Sequence, residues 1–178
     1  LDDSASLHEQ SLDMLRRIHG SKDHSSVATS LCSLAQVYMD QGRLDESESL
    51  AEESLEMARR VHGSAGHSVV VVSLCNLVQL RRVQGRLNEA ESLAGESLRM
   101  ARRLHGSKDD SAVVLSLCSV AQVYMDAGRM DESASLAAES LAMLRRIHGS
   151  RDHRVVALSL CHLAQVYMAQ GRLDDSAS

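Results

Sequence analysis

Histidine and cysteine are the side chains of this sequence that could bind a metal or act as a nucleophile. The 178-residue chain contains nine histidines and four cysteines. Three pairs of histidines lie five residues apart, at His19 and His24, His62 and His67, and His148 and His153. This spacing within a loop, with no cysteine nearby in the sequence, does not fit a zinc site. We therefore predict no metal and no other cofactor.

The residue patterns also argue against a catalytic centre. Cys161 and His162 are adjacent, so on a helix their side chains diverge and cannot pair as a nucleophile and its base. The sequence has no phosphate-binding loop and no paired catalytic carboxylates. We predict that the protein is not an enzyme.

Side-chain amides offer a different chemistry, which is hydrogen bonding to a peptide. Glutamine recurs every 43 residues, at Gln36, Gln79, Gln122 and Gln165. An amide can both donate to and accept from an extended backbone. Copying of a repeat would produce the same column without any ligand, so both interpretations stay open.

The 43-residue period extends through the whole chain. A Gly-Arg pair recurs at this step, at Gly42, Gly85, Gly128 and Gly171, and so does cysteine, at Cys32, Cys75, Cys118 and Cys161. Such a period predicts stacked units rather than a single core. Regular copying explains the cysteines better than a disulfide framework, so we expect four free thiols in a reducing, cytoplasmic setting.

Each period encodes two helices. Helix A is predicted over Ser25–Gln41, with Ser25 or Asp23 as its N-cap and Gly42 ending it in a left-handed conformation. Helix B is predicted over Leu44–Val61, with acidic residues in its first turn and basic residues in its last, which match the helix dipole. The arginine pairs that end the B helices are expected to bind glutamates such as Glu56.

The predicted organisation is one array over residues 1–178. It consists of a leading helix B (1–20), three complete repeats (21–63, 64–106 and 107–149) and a partial repeat (150–178) with helix A and the start of helix B. Because the segment opens inside a unit, we interpret it as cut from a longer array or trimmed.

The charge and hydropathy of the chain exclude two classes of partner. A formal net charge of −5 argues against nucleic acid. No apolar run approaches the roughly 20 residues of a membrane span.

The small residues of the repeat carry a family resemblance. Leu34-Ala35-x-x-Tyr38 is followed by Gly42 and then by Ser47 and Ser54 within "DHSSVATSLCSLAQVYMDQGRLDESESLAEESLEMARRVHG". This pattern resembles the tetratricopeptide repeat (TPR), and more closely its kinesin light chain-like subclass. The resemblance covers essentially the whole chain. It implies an all-α, right-handed superhelix, an α-α solenoid of antiparallel helix pairs, with the A helices lining its concave face.

The sequence departs from that family at positions that matter for binding. Arg81 replaces the helix-A tyrosine in the second unit. The asparagine pair that the family uses to hold a peptide backbone survives only as Asn76. We therefore do not expect the short acidic motifs with an aromatic anchor that the resemblance implies as ligands.

The resemblance implies a protein-interaction scaffold whose concave groove binds a peptide or partner segment, centred on Asn76, Gln79, Gln122 and Arg82. The predicted groove residues are Cys32, Ser33, Gln36, Met39, Cys75, Asn76, Gln79, Arg82, Cys118, Ser119, Gln122, Met125, Cys161, His162 and Gln165. One alternative is a structural or self-associating spacer or sensor array of a larger signalling protein. Another is a designed, consensus-like repeat. We also expect weak head-to-tail self-association through the ends of the array.

Overall fold

The computed structural model describes residues 2–20, 22–63, 66–106, 108–149 and 154–171 as eight α-helices with their connections. These helices are α1 (Asp2–His19), α2 (Ser25–Asp40), α3 (Leu44–His62), α4 (Ser68–Val83), α5 (Leu87–His105), α6 (Ser111–Asp126), α7 (Met130–His148) and α8 (Arg154–Ala169). The all-α prediction is confirmed. None of the described helices has an apolar stretch long enough to cross a bilayer.

The even-numbered helices are the A helices and the odd-numbered ones are the B helices. Each of α2, α4 and α6 packs most closely against the B helix that follows it, and each B helix also packs against the next A helix. The predicted bounds agree with the structure to within one residue. Helix α2 ends at Asp40 rather than Gln41, and α3 continues to His62 rather than Val61.

A glycine in the left-handed conformation joins A to B in each unit. Gly42 has a φ of +76°, as predicted. Its N–H donates to the Met39 carbonyl, and the Arg43 N–H donates to the Tyr38 carbonyl, each at 2.9 Å. These two bonds satisfy the last carbonyls of α2, and a side chain at Gly42 would be strained there.

The predicted N-caps of helix A were wrong. Ser25 is already the first helical residue, and the Asp23 carboxylate binds Arg60 at 2.6 Å. The cap is His24, whose extended backbone places ring Nδ1 where it accepts the Ser26 N–H at 3.2 Å. His67 caps α4 in the same way, whereas Asp110 caps α6.

Small buried residues let the helices of a pair approach closely. The Ser47 hydroxyl donates to the Ala35 carbonyl, and the Ser54 hydroxyl donates to the Ala28 carbonyl, each at 2.8 Å. Fully buried leucines at equivalent places, Leu31, Leu74 and Leu117, fill the space between units.

A buried cluster of two serines and one cysteine recurs between successive units. The hydroxyls of Ser54 and Ser73 are 2.9 Å apart, and Ser73 donates to the Cys32 sulfur at 3.9 Å. In the next copy, Ser97 lies 2.7 Å from Ser116 and 3.1 Å from the Cys75 sulfur. We call these two groups of residues the serine–cysteine clusters. Because the polar atoms bond to one another, they can be buried at low cost.

Arginines at the ends of the B helices connect successive units. These ion pairs are Arg16–Glu53 at 2.8 Å, Arg59–Glu96 at 2.6 Å and Arg102–Glu139 at 2.9 Å. The predicted pairing with Glu56 is present at Arg60, whereas Arg16, Arg59 and Arg102 bind glutamates of the following unit instead. Arg60 does contact Glu56 at 3.7 Å, but its shorter bond is to Asp23. Packing of the helices thus brings Asp23, from a distant part of the chain, closer to Arg60 than Glu56, which lies one turn away on the same helix.

Candidate functional site

The A helices lie on the inner side of the array. Helix α2 packs against α4, and α4 packs against α6, whereas no two of the described B helices pack against each other as extensively. Since the A helices are the more closely spaced layer, the array curves around them. The faces of the A helices that do not pack against the B helices form a groove, as the family resemblance implied.

The groove contains an N-terminal hollow of about 470 Å³ between α2 and α4. Its lining residues are His8, Thr29, Cys32, Ser33, Gln36, Val37, Ser68, Val69, Val72 and Asn76. His8 occupies the position of Ala51 in the following unit, where the side chain is buried. On α1, the first described helix of the array, this position faces the hollow instead.

A C-terminal hollow of about 920 Å³ lies among α4, α6 and α8. Its floor exposes Val72 (38%), Leu115 (39%) and Val155 (42%). Ser68 and Val72 line both hollows, so the groove is continuous across α4.

Beside the C-terminal hollow, which Gln122 lines, four polar side chains connect α4 to α6. The Arg82 Nε donates to Asp126 at 2.6 Å, and its Nη1 donates to the Gln122 Oε1 at 2.6 Å. Gln79 also donates to that Gln122 oxygen, at 2.9 Å. Three of the four residues on which we centred the predicted site therefore bind one another.

The remaining central residue also bonds within the chain. The Asn76 amide donates to the carbonyl and to the sulfur of Cys32, at 3.1 Å each. Gln36 donates to Asp40 at 2.9 Å. These amides still have unused donors and acceptors for a ligand, because each can form more bonds than these.

The other predicted groove residues differ in exposure. Ser33, Met39, Cys118 and Met125 are half-buried, while Cys161 and Gln165 are exposed. Cys75 and Ser119 are a correction, because they are 2% and 1% exposed and lie beneath the groove surface. Cys75 faces Ser97 in a serine–cysteine cluster, and the Ser119 hydroxyl donates to the Leu115 carbonyl at 3.0 Å. His162 lies outside the described side chains.

Sequence reasoning missed a histidine–aspartate pair at the edge of the C-terminal hollow. The His105 Nδ1 lies 3.2 Å from an Asp110 carboxylate oxygen, and the other Asp110 oxygen accepts the Ala112 N–H at 2.7 Å. The His105 Nε2 is buried and has no hydrogen-bond partner among the described residues. The signal was visible in the sequence, because Asp110 stands where the other connections have a second histidine.

Arg81 and Arg82 point to different parts of the molecule. Arg81 is 6% exposed and pairs with Glu48, with Glu52 at 2.8 Å and with Glu89 at 3.4 Å, on the side of the B helices. The two neighbouring arginines therefore do not form one site for an acidic ligand. Each has its own carboxylates within the chain.

Burial disfavours reactivity at two of the four cysteines, Cys32 and Cys118. All four are free thiols. Burial raises the pKa of Cys32, although hydrogen bonds from Ser73 and Ser54 oppose this, and burial likewise raises the pKa of Cys118. A raised pKa disfavours the thiolate, which is the nucleophile and metal ligand. Within the described ranges, no group of three or more His, Cys, Asp or Glu residues could hold a metal ion.

Known proteins share this architecture. The MalT-like TPR region family matches residues 9–178. Two structures of a putative kinesin light chain with nearly identical TPR-like repeats from Podosopora anserina cover 99% of this chain. A point variant of that protein has a TM-score of 0.72 and 22% identity, with 81% of its chain covered. The other structure has a TM-score of 0.69 and 21% identity, with 82% of its chain covered. BtubC (BKLC) from P. vanneervenii gives a TM-score of 0.67 at 14% identity, over 99% of this chain and 86% of its own. Curated protein sequences gave no significant match. The chain therefore belongs to the tetratricopeptide repeat family as a MalT-like TPR region, with a kinesin light chain-like repeat fold.

Proposed function

We propose that the groove of A helices binds an extended segment of a partner protein. The observation that carries this proposal is the continuous pair of hollows, in which Val72, Leu115 and Val155 are each more than one third exposed. A concave surface with contiguous exposed apolar side chains and a few polar groups is the usual form of a binding site. TPR arrays in general serve as protein-interaction scaffolds, which supports the same conclusion.

An extended segment suits this groove because of its polar groups. A strand-like backbone presents unpaired N–H and C=O groups along its length. Gln36, Asn76, Gln79 and Gln122 lie along three successive A helices and can bind such groups in turn. The apolar hollows then accept side chains of the segment.

A selection with a phage-displayed library of short random peptides tests this function. We expect the selected peptides to lose at least tenfold in affinity for Leu115→Glu, because a charge would stand on the apolar floor of the C-terminal hollow. The matched control is Met14→Glu, which changes an exposed apolar residue of α1 that lines neither hollow.

Isothermal titration with a synthetic copy of the best peptide would measure both variants. Unchanged binding to Leu115→Glu, or a loss confined to Met14→Glu, would show that the groove is not the site. A selection that yields no peptide sensitive to Leu115→Glu would refute the proposal as well.

Self-association remains the second candidate. Helix α1 exposes Leu7, Met14 and Ile18 at helical spacing, with exposures of 65%, 55% and 67%. These side chains offer an apolar surface for contact with another copy of the chain. The other predicted end, residues 172–178, lies outside the described residues.

A further inference from the structure

We propose that the C-terminal hollow recognises a cationic side chain of the bound segment, lysine or arginine, next to an apolar one, with the His105 Nε2 as the hydrogen-bond acceptor. The inference rests on the proposed function and names the chemistry of the ligand. It differs from the acidic motifs that the family resemblance implies.

The first support is the state of the His105 ring. Its Nδ1 lies 3.2 Å from the Asp110 carboxylate, so in the neutral ring the hydrogen belongs on Nδ1 and the lone pair on Nε2. That Nε2 is buried without a partner among the described residues, in a side chain that lines the hollow. A buried acceptor without a donor is unfavourable, and a donor on a ligand would relieve it.

Equivalent histidines show that the unpartnered nitrogen belongs to one place. The His62 Nε2 bonds to the Ser25 hydroxyl at 3.1 Å, and the His19 Nε2 bonds to the Ser26 hydroxyl at 3.2 Å. The residue that corresponds to Ser25 in the next unit is Ser68, whose hydroxyl lies 3.5 Å from the His67 ring instead. Of these three described histidines, His19, His62 and His105, it is His105 whose Nε2 lacks a partner.

The second support is the charge of the groove. Asp110 stands behind His105, Asp126 is paired with Arg82, and Asp40 is bound only to a neutral amide among the contacts described above. Among the described residues that line the C-terminal hollow, Asp110 carries a carboxylate and none is a lysine or an arginine. Complementarity of charge therefore favours a cation over a carboxylate.

The third support is the apolar surface around His105. Leu115 and Val155 are exposed by 39% and 42%, and Ile147 by 36%, in the same hollow. A cation bound here needs an apolar neighbour in the segment that covers these side chains. The expected signature is one apolar residue adjacent to one lysine or arginine.

The peptide selection, carried out at pH 8, tests this inference. We expect the enriched sequences to share an apolar residue next to lysine or arginine. A synthetic copy of the best one should bind His105→Phe at least tenfold more weakly, since phenylalanine keeps a ring but has no acceptor. His62→Phe is the matched control and should bind within twofold of the unchanged protein.

A change in the peptide makes the test independent of protein folding. Replacing its lysine or arginine by methionine should weaken binding to the unchanged protein by the same factor. It should cause no further loss with His105→Phe, because both changes remove one interaction. An acidic consensus, or groove-bound peptides that are sensitive to Leu115→Glu but not to His105→Phe, would overturn the inference and leave the proposed function standing. A selection that yields no groove-bound peptide would overturn both.

Discussion

The junction between the first and second units and the junction between the second and third share an apolar core but use different polar contacts. At the first junction His67 caps α4, and its ring stacks on His62 with centroids 3.9 Å apart. At the second, Asp110 caps α6 and pairs with His105. The first connection thus joins two stacked imidazole rings, whereas the second joins an imidazole ring to a carboxylate.

The two junctions also use different polar contacts on the groove side and on the outer side of the array. Asn76 bonds to Cys32 across the first junction, and Arg82 bonds to Asp126 across the second. On the outer side of the first junction, Arg81 is buried among glutamates. The equivalent residue at the second junction is Tyr124, and the Arg129 guanidinium lies 3.7 Å from the centre of its ring. Repeats can thus keep their buried leucines and clusters and still diverge in polar coupling, since array stability is approximately a sum over units and junctions.

Arg81 should give the largest difference between the junctions. We expect Arg81→Leu to lower the free energy of unfolding by about 2–3 kcal/mol, because it leaves glutamates without their buried partner. The value is discounted because Glu52 and Glu89 are half exposed. Arg81→Tyr should lose less than half as much, since the Tyr38 hydroxyl already donates to Glu9 at 2.5 Å in the equivalent place.

Urea unfolding followed by circular dichroism would measure both variants. Equal losses for leucine and tyrosine would show that the ion pairs contribute nothing beyond side-chain volume. In that case the outer sides of the two junctions would be energetically alike.

The serine–cysteine clusters should behave alike at both junctions. Ser54→Ala and Ser97→Ala should each cost about 1–2 kcal/mol, because each removes hydroxyl bonds to a buried serine. The same unfolding experiment compares them. A difference of more than about 1 kcal/mol between the two would mean that the shared core is not equivalent, contrary to the comparison.

Acid should weaken the first junction. Burial lowers the pKa of His62, and the neighbouring His67 lowers it further. The folded state therefore binds fewer protons than the unfolded state, so this contribution to stability is complete above the ordinary pKa of about 6.5 and falls as the pH drops below it. The His67 ring that stacks on His62 is also the ring whose Nδ1 accepts the Val69 N–H and caps α4.

Thermal melts between pH 8 and pH 5 would test this effect, which we expect to be the smallest of the three. Replacing both ring caps, by His24→Asp and His67→Asp, should reduce the fall in Tm, and Asp110→His should enlarge it. An identical pH profile for all of these proteins would contradict the difference between the junctions.

Local rules explain why so much of the fold could be predicted. The period, the two helices per unit and the left-handed Gly42 depend on neighbouring residues in the chain, and each agrees with the structure to within a residue. The small residues at Ser47 and Ser54 likewise indicated which faces pack, because helical spacing alone places them on one stripe.

The candidate site was only partly predictable, because its bonds join different units. Gln79, Arg82 and Gln122 were recognised as a polar column, but not as partners of one another. The burial of Cys75 and Ser119 depends on how deeply neighbouring helices approach. The pairing of His105 with Asp110 was overlooked because the sequence alone does not show that Asp110 caps α6 and lies beside the His105 ring.

Short-range periodicity in this chain is sufficient to specify helices, turns and their stacking as a TPR array. The choice of hydrogen-bond partner requires the superhelix, since groups about 37 to 44 residues apart meet only after the units stack. The unpartnered Nε2 of His105, within the described part of the chain, is of this second kind. In the preceding unit the Nε2 of His62 bonds to Ser25, which lies 37 residues earlier in the chain.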